Sequence, residues 1–388
     1  MYVFIIKREL MHILIAPNAF KNSLDAESVA SAIRDGLERS VLPCTCTCFP
    51  IGDGGDGTGD LIIKKNSGEL IDGTVHDPLG RSIAASYGMI DAGKTAIIEM
   101  ASASGLRLLS PAELDPLRAL SFGTGEQMLS ALDRGARRIV IGMGGSATVD
   151  GGVGILQALG CRFLDDSGRE LSELPEGLVR LARVDVLGLD RRVLDNEVVV
   201  LCDVDNLLLG EQGAAAVFGP QKGASAAVVL QLDAGLSRLA EVVLLQTGKD
   251  ITALTYGGTA GGAAAGLFAF LNARLVNGID YFLELTGFDA ALGSADLVIT
   301  GEGSIDEQTL QGKGPFGVAK KAKGAGVPVI AVAGKVPLVK DMGLQKCFDV
   351  LLAIGNAPSE LSTALRSAKD NMIRTAWEIG NLLALGRR

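Results

Sequence analysis

Four stretches of the sequence combine glycines with hydroxyls, carboxylates or lysines in the manner a phosphate-handling site needs. Gly142-Met143-Gly144-Gly145-Ser146-Ala147-Thr148-Val149-Asp150-Gly151-Gly152 follows the strand-like run Arg138 to Ile141. Consecutive glycines with serine and threonine hydroxyls make an anion nest, in which backbone N–H groups converge on phosphate oxygens, and Asp150 is placed to hold a metal. The competing reading is a tight turn in which Ser146 or Thr148 caps the next helix. Cys202-Asp203-Val204-Asp205-Asn206 leaves the apolar strand Val198 to Leu201, which puts carboxylates at a strand's C-terminal end, where parallel sheets bind ligands. Aspartate there is also a common turn former. In Phe218-Gly219-Pro220-Gln221-Lys222-Gly223-Ala224, Lys222 either reaches a phosphate or is an exposed loop lysine. The fourth stretch, Ile299-Thr300-Gly301-Glu302-Gly303-Ser304-Ile305-Asp306, runs through Gln308-Thr309 to Gly312-Lys313-Gly314-Pro315. It offers backbone donors at Gly301 and Gly303, the Ser304 hydroxyl, two carboxylates (Glu302, Asp306) and Lys313, an inventory suited to phosphate and Mg²⁺ together. Gly257 to Gly262 carries no charge and reads equally as a phosphate-facing loop or as close helix packing.

Two further matches are decoys by context. Gly88-Met89-Ile90-Asp91-Ala92-Gly93-Lys94-Thr95 has the Walker A spacing, but Ala96-Ile97-Ile98-Glu99-Met100 after it is strand-like and Asp91 to Lys94 has hairpin-turn chemistry. Gly52-Asp53-Gly54-Gly55-Asp56-Gly57 has the dinucleotide-binding spacing, yet Asp53 and Asp56 would set two carboxylates against a pyrophosphate. What remains is phosphoryl transfer without a Walker A loop, which is mostly positioning and charge neutralisation: Mg²⁺ and lysines on the phosphates, and a carboxylate to accept the acceptor hydroxyl's proton.

The elements that must hold these loops alternate. A strand (His12 to Ala16), a turn at Pro17-Asn18, a helix from Ser23 to Arg39 capped by Ser23, and the strand around Cys44, Cys46 and Cys48 make a βαβ opening. Near the C-terminus the alternation returns: strand Asp296 to Thr300, helix Phe316 to Ala325, strand Pro328 to Ala333 and short strand Asp349 to Ala353. This predicts a doubly wound parallel sheet of Rossmann or flavodoxin-like type. Between them, paired strands over Arg81 to Tyr87 and Thr95 to Met100 precede a Gly/Ala-rich stretch with helices near Thr124 to Arg134 and Ala226 to Gln246. The expected class is therefore α/β with two α/β domains: a discontinuous parallel-sheet domain (11–75 plus 288–388) and a mixed α/β domain (76–287) inserted into it. Residues 1–10 read as an upstream extension or tail, with charge after the apolar run and not before it as a signal peptide requires.

Composition narrows the partners. The chain has 388 residues and a formal net charge of −9, without a Lys/Arg block, so it has no electrostatic footprint for nucleic acid or anionic membrane. No apolar run approaches the ~20 residues of a membrane span. Two histidines argue against a histidine-cluster site. The three alternating cysteines fall on one face of a strand, about 6–7 Å apart, too far for one zinc, and read as reduced core thiols of a cytoplasmic protein.

Five strings, in order, resemble the bacterial class I glycerate kinases, the glycerate 2-kinase group. They are Pro17-Asn18-Ala19-Phe20-Lys21-Asn22-Ser23-Leu24, the Gly52 to Thr58 loop, the Gly144 to Gly152 run, Phe218 to Ala224 and Ile299 to Asp306. The departures are Leu207, where proline is expected after Asn206, and Gly314 and Phe316 around Pro315. The resemblance implies two α/β domains, ATP as phosphoryl donor, Mg²⁺, and glycerate as acceptor, with 2-phosphoglycerate favoured over 3-phosphoglycerate, in organic- and sugar-acid catabolism. It also implies that Lys21, Asp53 and Asp56, with Asn206, line the substrate end. Gly144, Gly145, Ser146 and Thr148, together with Lys222, Gly301, Gly303, Ser304 and Lys313, would meet phosphates. The resemblance further implies Asp203 as general base, with Lys21 and Asp306 also catalytic, Asp150, Asp306 and Glu302 at the metal, and Lys222 and Lys313 as phosphate clamps. Two other functions stay open on the residues alone: a nicotinamide-dependent oxidoreductase of a small hydroxy acid, motivated by the Gly52 to Gly57 loop, and a non-catalytic sugar-acid sensor. Both a monomer and a homodimer fit the sequence.

Overall fold

The computed structural model describes residues 10–306, 312–338 and 342–387. The extension at 1–9 and the Gln308-Thr309 passage lie outside the described residues. The chain forms two compact units, one made of residues through Gly52 and from Phe282 onward, the other of Asp53–Tyr281.

The first unit opens with β1 (Met11–Pro17), α1 (Ala26–Arg39) and β2 (Cys44–Cys48). Helix α1 starts at Asp25, whose carboxylate accepts from Ser28 N at 2.7 Å. Ser23, expected as the cap, instead donates its hydroxyl to Leu365 O, because the tight Phe20–Leu24 turn places it before the helix.

The second unit follows with α2 (Thr58–Lys65), β3 (Glu69–His76), β4 (Ser82–Ile90), β5 (Thr95–Glu99), α3 (Met100–Ser104), α4 (Phe122–Asp133), β6 (Arg138–Gly142), α5 (Val153–Ala158), β7 (Arg162–Leu164), β8 (Arg183–Asp185), β9 (Glu197–Cys202), α6 (Ala214–Phe218), α7 (Ala226–Thr247), α8 (Ala263–Leu271) and β10 (Arg274–Asn277). Its main sheet runs β10-β9-β6-β5-β4-β3. Strands β10, β9, β6 and β5 are parallel, and β4 and β3 each pair antiparallel, so the sheet is mixed. The Walker-like string is the β4–β5 hairpin, with Asp91 and Ala92 at positive φ in its turn. Residues 53–75, expected with the first domain, fall in this unit, because β3 finds its hydrogen-bonding partner in β4 over Glu69↔Met89 to His76↔Ser82. Its largest described core cluster runs from Ile71 to Ala273.

The chain then returns to the first unit with α9 (Gly278–Leu285), which spans the junction, α10 (Phe288–Leu292), β11 (Leu297–Ser304), α11 (Gly314–Gly324), β12 (Val329–Lys335), α12 (Met342–Cys347), β13 (Val350–Ala353), α13 (Leu361–Arg366) and α14 (Ala368–Leu385). The sheet order is β13-β12-β11-β1-β2, all parallel. The order reverses between β1 and β11, the switch point at which open α/β sheets bind ligands outside the strands' carboxyl ends. Cys44, Cys46 and Cys48 pack against this unit's core, and burial with the neighbouring thiols pushes Cys46 up to about 12, so these are unreactive packing thiols.

Candidate active site

In the second unit the site is built at the carboxyl ends of β5, β6 and β9. Their ends lie side by side, Glu99 opposite Gly142 and Gly142 opposite Leu201, the residue before the last of β9. Two glycine loops cross this end. Gly144 N donates to Gly54 O at 3.1 Å, and a Cβ on Gly144 would lie 2.5 Å from Gly55 Cα, so the loops meet only because glycine stands there. A Cβ on Gly55 would be 3.0 Å from Asp53 Oδ1 and 3.9 Å from Asp203 Oδ2. Asp53, Asp203, Gly55 and Gly144 are thereby brought together. Asp53 also accepts from Gly55 N, shaping its own turn. Asp56 is ion-paired with Arg107, a residue missed in the sequence. Arg107 follows Leu106, whose N–H donates to Gly145 O at 2.8 Å.

Below Gly144 and Gly145 the loop turns inward. Lys222 is 3% exposed, and its ammonium donates to Ser146 Oγ (3.0 Å) and Thr148 O (2.7 Å). Burial pulls its pKa down to about 7, against the pull of the Asp150 charge. Lys222 is thus neither an exposed loop lysine nor a direct phosphate clamp: it is the underside of the glycine loop. Thr148 is sealed from solvent as well, and its Oγ1 has no hydrogen-bond partner among the described residues. A side chain so enclosed does not touch a ligand without rearrangement, whereas Gly144 and Gly145 lie at the crossing of the two loops.

Asp150, expected at the metal, has a fully buried carboxylate that accepts from Ser121 N, Ser121 Oγ, Gly152 N and Gly154 N at 2.6–3.2 Å. With its lone pairs turned to the start of α5 and the segment before α4, it fastens two elements. Asn206 uses its side-chain N–H on Gln212 O and its carbonyl on Gly258 N. The uncharged Gly257 to Gly262 stretch is close packing: Gly261 O accepts from Gly151 N, and a Cβ on Gly261 would be 2.1 Å from Thr148 O.

In the first unit the switch-point loops carry the remaining residues. Asn18 N donates to Gly301 O at 2.8 Å, and a Cβ on Gly303 would lie 3.7 Å from Lys21 N. Lys21 is exposed and Glu302 is 8% exposed at the end of β11. Lys313 is the N-cap residue of α11 and provides no side-chain cap, while a Cβ on Gly314 would be 3.0 Å from Asn18 Nδ2. Lys21, Gly303, Asn18 and the start of α11 are therefore neighbours at one sheet end, with Ser304 and Asp306 on the loop leaving it. Among the described residues no group of three or more His, Cys, Asp or Glu is arranged to cage a metal.

The chain's similarity to known proteins extends over nearly its whole length. The family model described as the glycerate kinase family matches residues 13–384. A glycerate kinase of Bacillus subtilis is 44% identical over 97% of this chain and 99% of its own. A glycerate 2-kinase of Escherichia coli is 43% identical, again over 97% and 99%. A crystal structure from Salmonella typhimurium LT2 assigned to glycerate kinase 2 superimposes with a TM-score of 0.82 at 41% identity, covering 97% of this chain and 99% of that one. The two glycine loops, the strand-end carboxylates and the switch-point lysines thus belong to a protein of the glycerate kinase family.

Proposed function

We propose that this chain is an ATP-dependent glycerate kinase that transfers the γ-phosphoryl group to the 2-hydroxyl of D-glycerate in organic- and sugar-acid catabolism. The observation that carries the reading is that Asp53, Gly144 and Asp203 meet at the sheet end of the second unit, and Lys21 and Glu302 lie at the sheet end of the first, in a chain 43% identical to a glycerate 2-kinase. That relative also supports the 2-position. The inserted unit acts as a domain within the other, and a cytoplasmic setting fits six cysteines of which none is disulfide-bonded.

Mg²⁺ needs few protein ligands, because phosphate oxygens and retained waters fill most of its octahedral shell. Glu302 and Asp306, two carboxylates at the end of β11 and on the loop after it, fit that donor set. When bound, the ion neutralises phosphate charge. Asp203 takes the proton of the acceptor hydroxyl; a weak base suffices because that proton leaves late. Lys21 and Lys313 offset phosphate charge, aided by the amides of Gly301 and Gly303 and by Ser304. Gly144 and Gly145 offer N–H groups from a loop that Lys222 and Ser146 hold from beneath. Asp53, Asp56 and Asn206 line the acceptor end, where Arg107 balances Asp56.

The test is phosphoenolpyruvate formation from D-glycerate, ATP and Mg²⁺ with enolase, with and without phosphoglycerate mutase. Product without mutase is expected. Product only with mutase would move the acceptor to the 3-hydroxyl, and no product in either would overturn the kinase reading.

A further inference from the structure

Glu99, the last residue of β5, is a carboxylate that the reaction as described does not use. Its Oε1 accepts from Gly59 N at 2.6 Å. This amide lies in the first turn of α2, whose N-cap position is Gly57 and has no side chain to cap with. Four N–H groups at a helix start have no partner within the helix. Glu99 meets one of them from a different element. Its stem is locked there, because a Cβ on Gly59 would fall 2.6 Å from Glu99 Cγ. The same helix start closes the Asp53–Asp56 loop, with Gly54 N donating to Thr58 Oγ1 at 3.1 Å. A carboxylate on the sheet therefore anchors the loop that packs against Gly144 and places Asp53 near Asp203.

We propose that Glu99 is a positioning residue whose ionised carboxylate holds the Asp53–Asp56 loop in its working form, so that protonation of Glu99 loosens the acceptor end. Charge-assisted bonds to backbone N–H groups are roughly twice as strong as neutral ones, so taking up a proton weakens the Gly59 anchor. Burial pushes the Glu99 pKa up to about 7, with the Asp60 charge adding to the shift and the Gly59 and Gly57 N–H groups opposing it. Asp60, on α2, is the charged group facing it. Strand β6 presents Gly142 at its level, α3 has no titratable side chain, Tyr87 of β4 pairs with Ser130, and Glu126 of α4 is held by His76. The switch therefore falls in the neutral range.

The proposal rests on the kinase reading but is tested separately from it. In wild type, kcat/KM for glycerate should climb with pH along a limb near 7. In Glu99→Gln, which keeps an acceptor oxygen and loses the charge, that limb should vanish and KM for glycerate should rise about tenfold with kcat less affected. Hydrogen exchange of the amides of residues 54–60, read without any substrate, should be faster in Glu99→Gln than in wild type at pH 8 and equal at pH 5.5. Glu99→Asp, one methylene shorter, should match the Gln variant in exchange. A variant with unchanged exchange, KM and pH limb would overturn the role of Glu99. An inactive wild type with the exchange difference intact would count against the kinase reading and leave the anchor standing.

Discussion

At the level of single residues, burial separates groups that resemble one another in the sequence. Asp203 and Asp150 both lie in loops that follow apolar strands, yet one is half-buried beside Gly55 and the other is sealed under four hydrogen bonds. Asp203→Asn should lower kcat by about 10²–10⁴-fold with little change in KM for glycerate, the pattern of a lost general base. A raised KM with near wild-type kcat would mark Asp203 as a ground-state contact instead. Asp150→Ala strands two buried glycine N–H groups, the Ser121 amide and its hydroxyl, and should cost upwards of about 3 kcal/mol in urea unfolding. Asp150→Asn, assayed where it is folded, should keep the Mg²⁺ requirement of wild type; a strongly weakened one would return Asp150 to the metal. Lys222 makes a pH prediction. Its pKa is near 7 folded and 10.5 ordinarily, so between those values the unfolded chain binds a proton that the folded chain does not. Stability should therefore rise with pH over that window and level off below it. Lys222→Met should flatten the rise between pH 7 and 9.5 in urea titrations; parallel slopes in the two proteins would refute the buried-lysine account.

At the level of elements, strand-then-glycine-loop units were legible because strand ends are written locally, as β-branched runs closed by Gly, Asp and Ser. The β4–β5 hairpin was legible for the same reason, through Asp91-Ala92-Gly93. What local sequence does not encode is which loop lies on which. The crossing of Gly54 over Gly142 and Leu201, and the inward turn of Ser146 to Asp150, depend on residues about 30 to 150 positions apart. Glu99 was missed for this reason: a glutamate ending an apolar strand looks like a solvated edge until Gly59 is found against it. Gly144→Ala tests the crossing, since the added methyl meets the backbone of Gly55 and Asp56 at 2.5–2.6 Å, where nothing flexible can yield. A shift of about 1 Å in a reacting group costs on the order of 10²-fold. We expect kcat/KM to fall by at least that factor while unfolding by urea changes modestly, and full activity would show that the loops need not touch.

At the level of the whole molecule, the parallel sheet that opens the chain also closes it, β1 and β2 joining β11, β12 and β13, and the intervening unit is continuous in sequence. The alternation at both ends of the chain made this legible, because parallel strands need crossovers and a long stretch of different texture between them is the mark of an insertion. The junction was less legible: the helix α2 and strand β3 carry no local sign of which sheet they serve, and the pairing of β3 with β4 over eight positions decides it. One cluster of the second unit, running from Ile71 to Ala273, draws all its described members from that unit, while others of its buried residues, such as Ile62, Ile97, Val140, Val199 and Ile279, lie outside the cluster. A large cluster closed within one continuous segment favours folding alone. A fragment of residues 53–285, cut after α9 so that this helix stays whole, should therefore express as a folded protein with α/β circular dichroism and a single cooperative urea transition. It should have no kinase activity, since Lys21, Glu302, Asp306 and Lys313 are absent from it. Its Lys222-dependent rise in stability with pH should persist, because Ser146, Thr148 and Asp150 all remain with Lys222. An aggregated or non-cooperative fragment would show that the first unit is needed to complete this core.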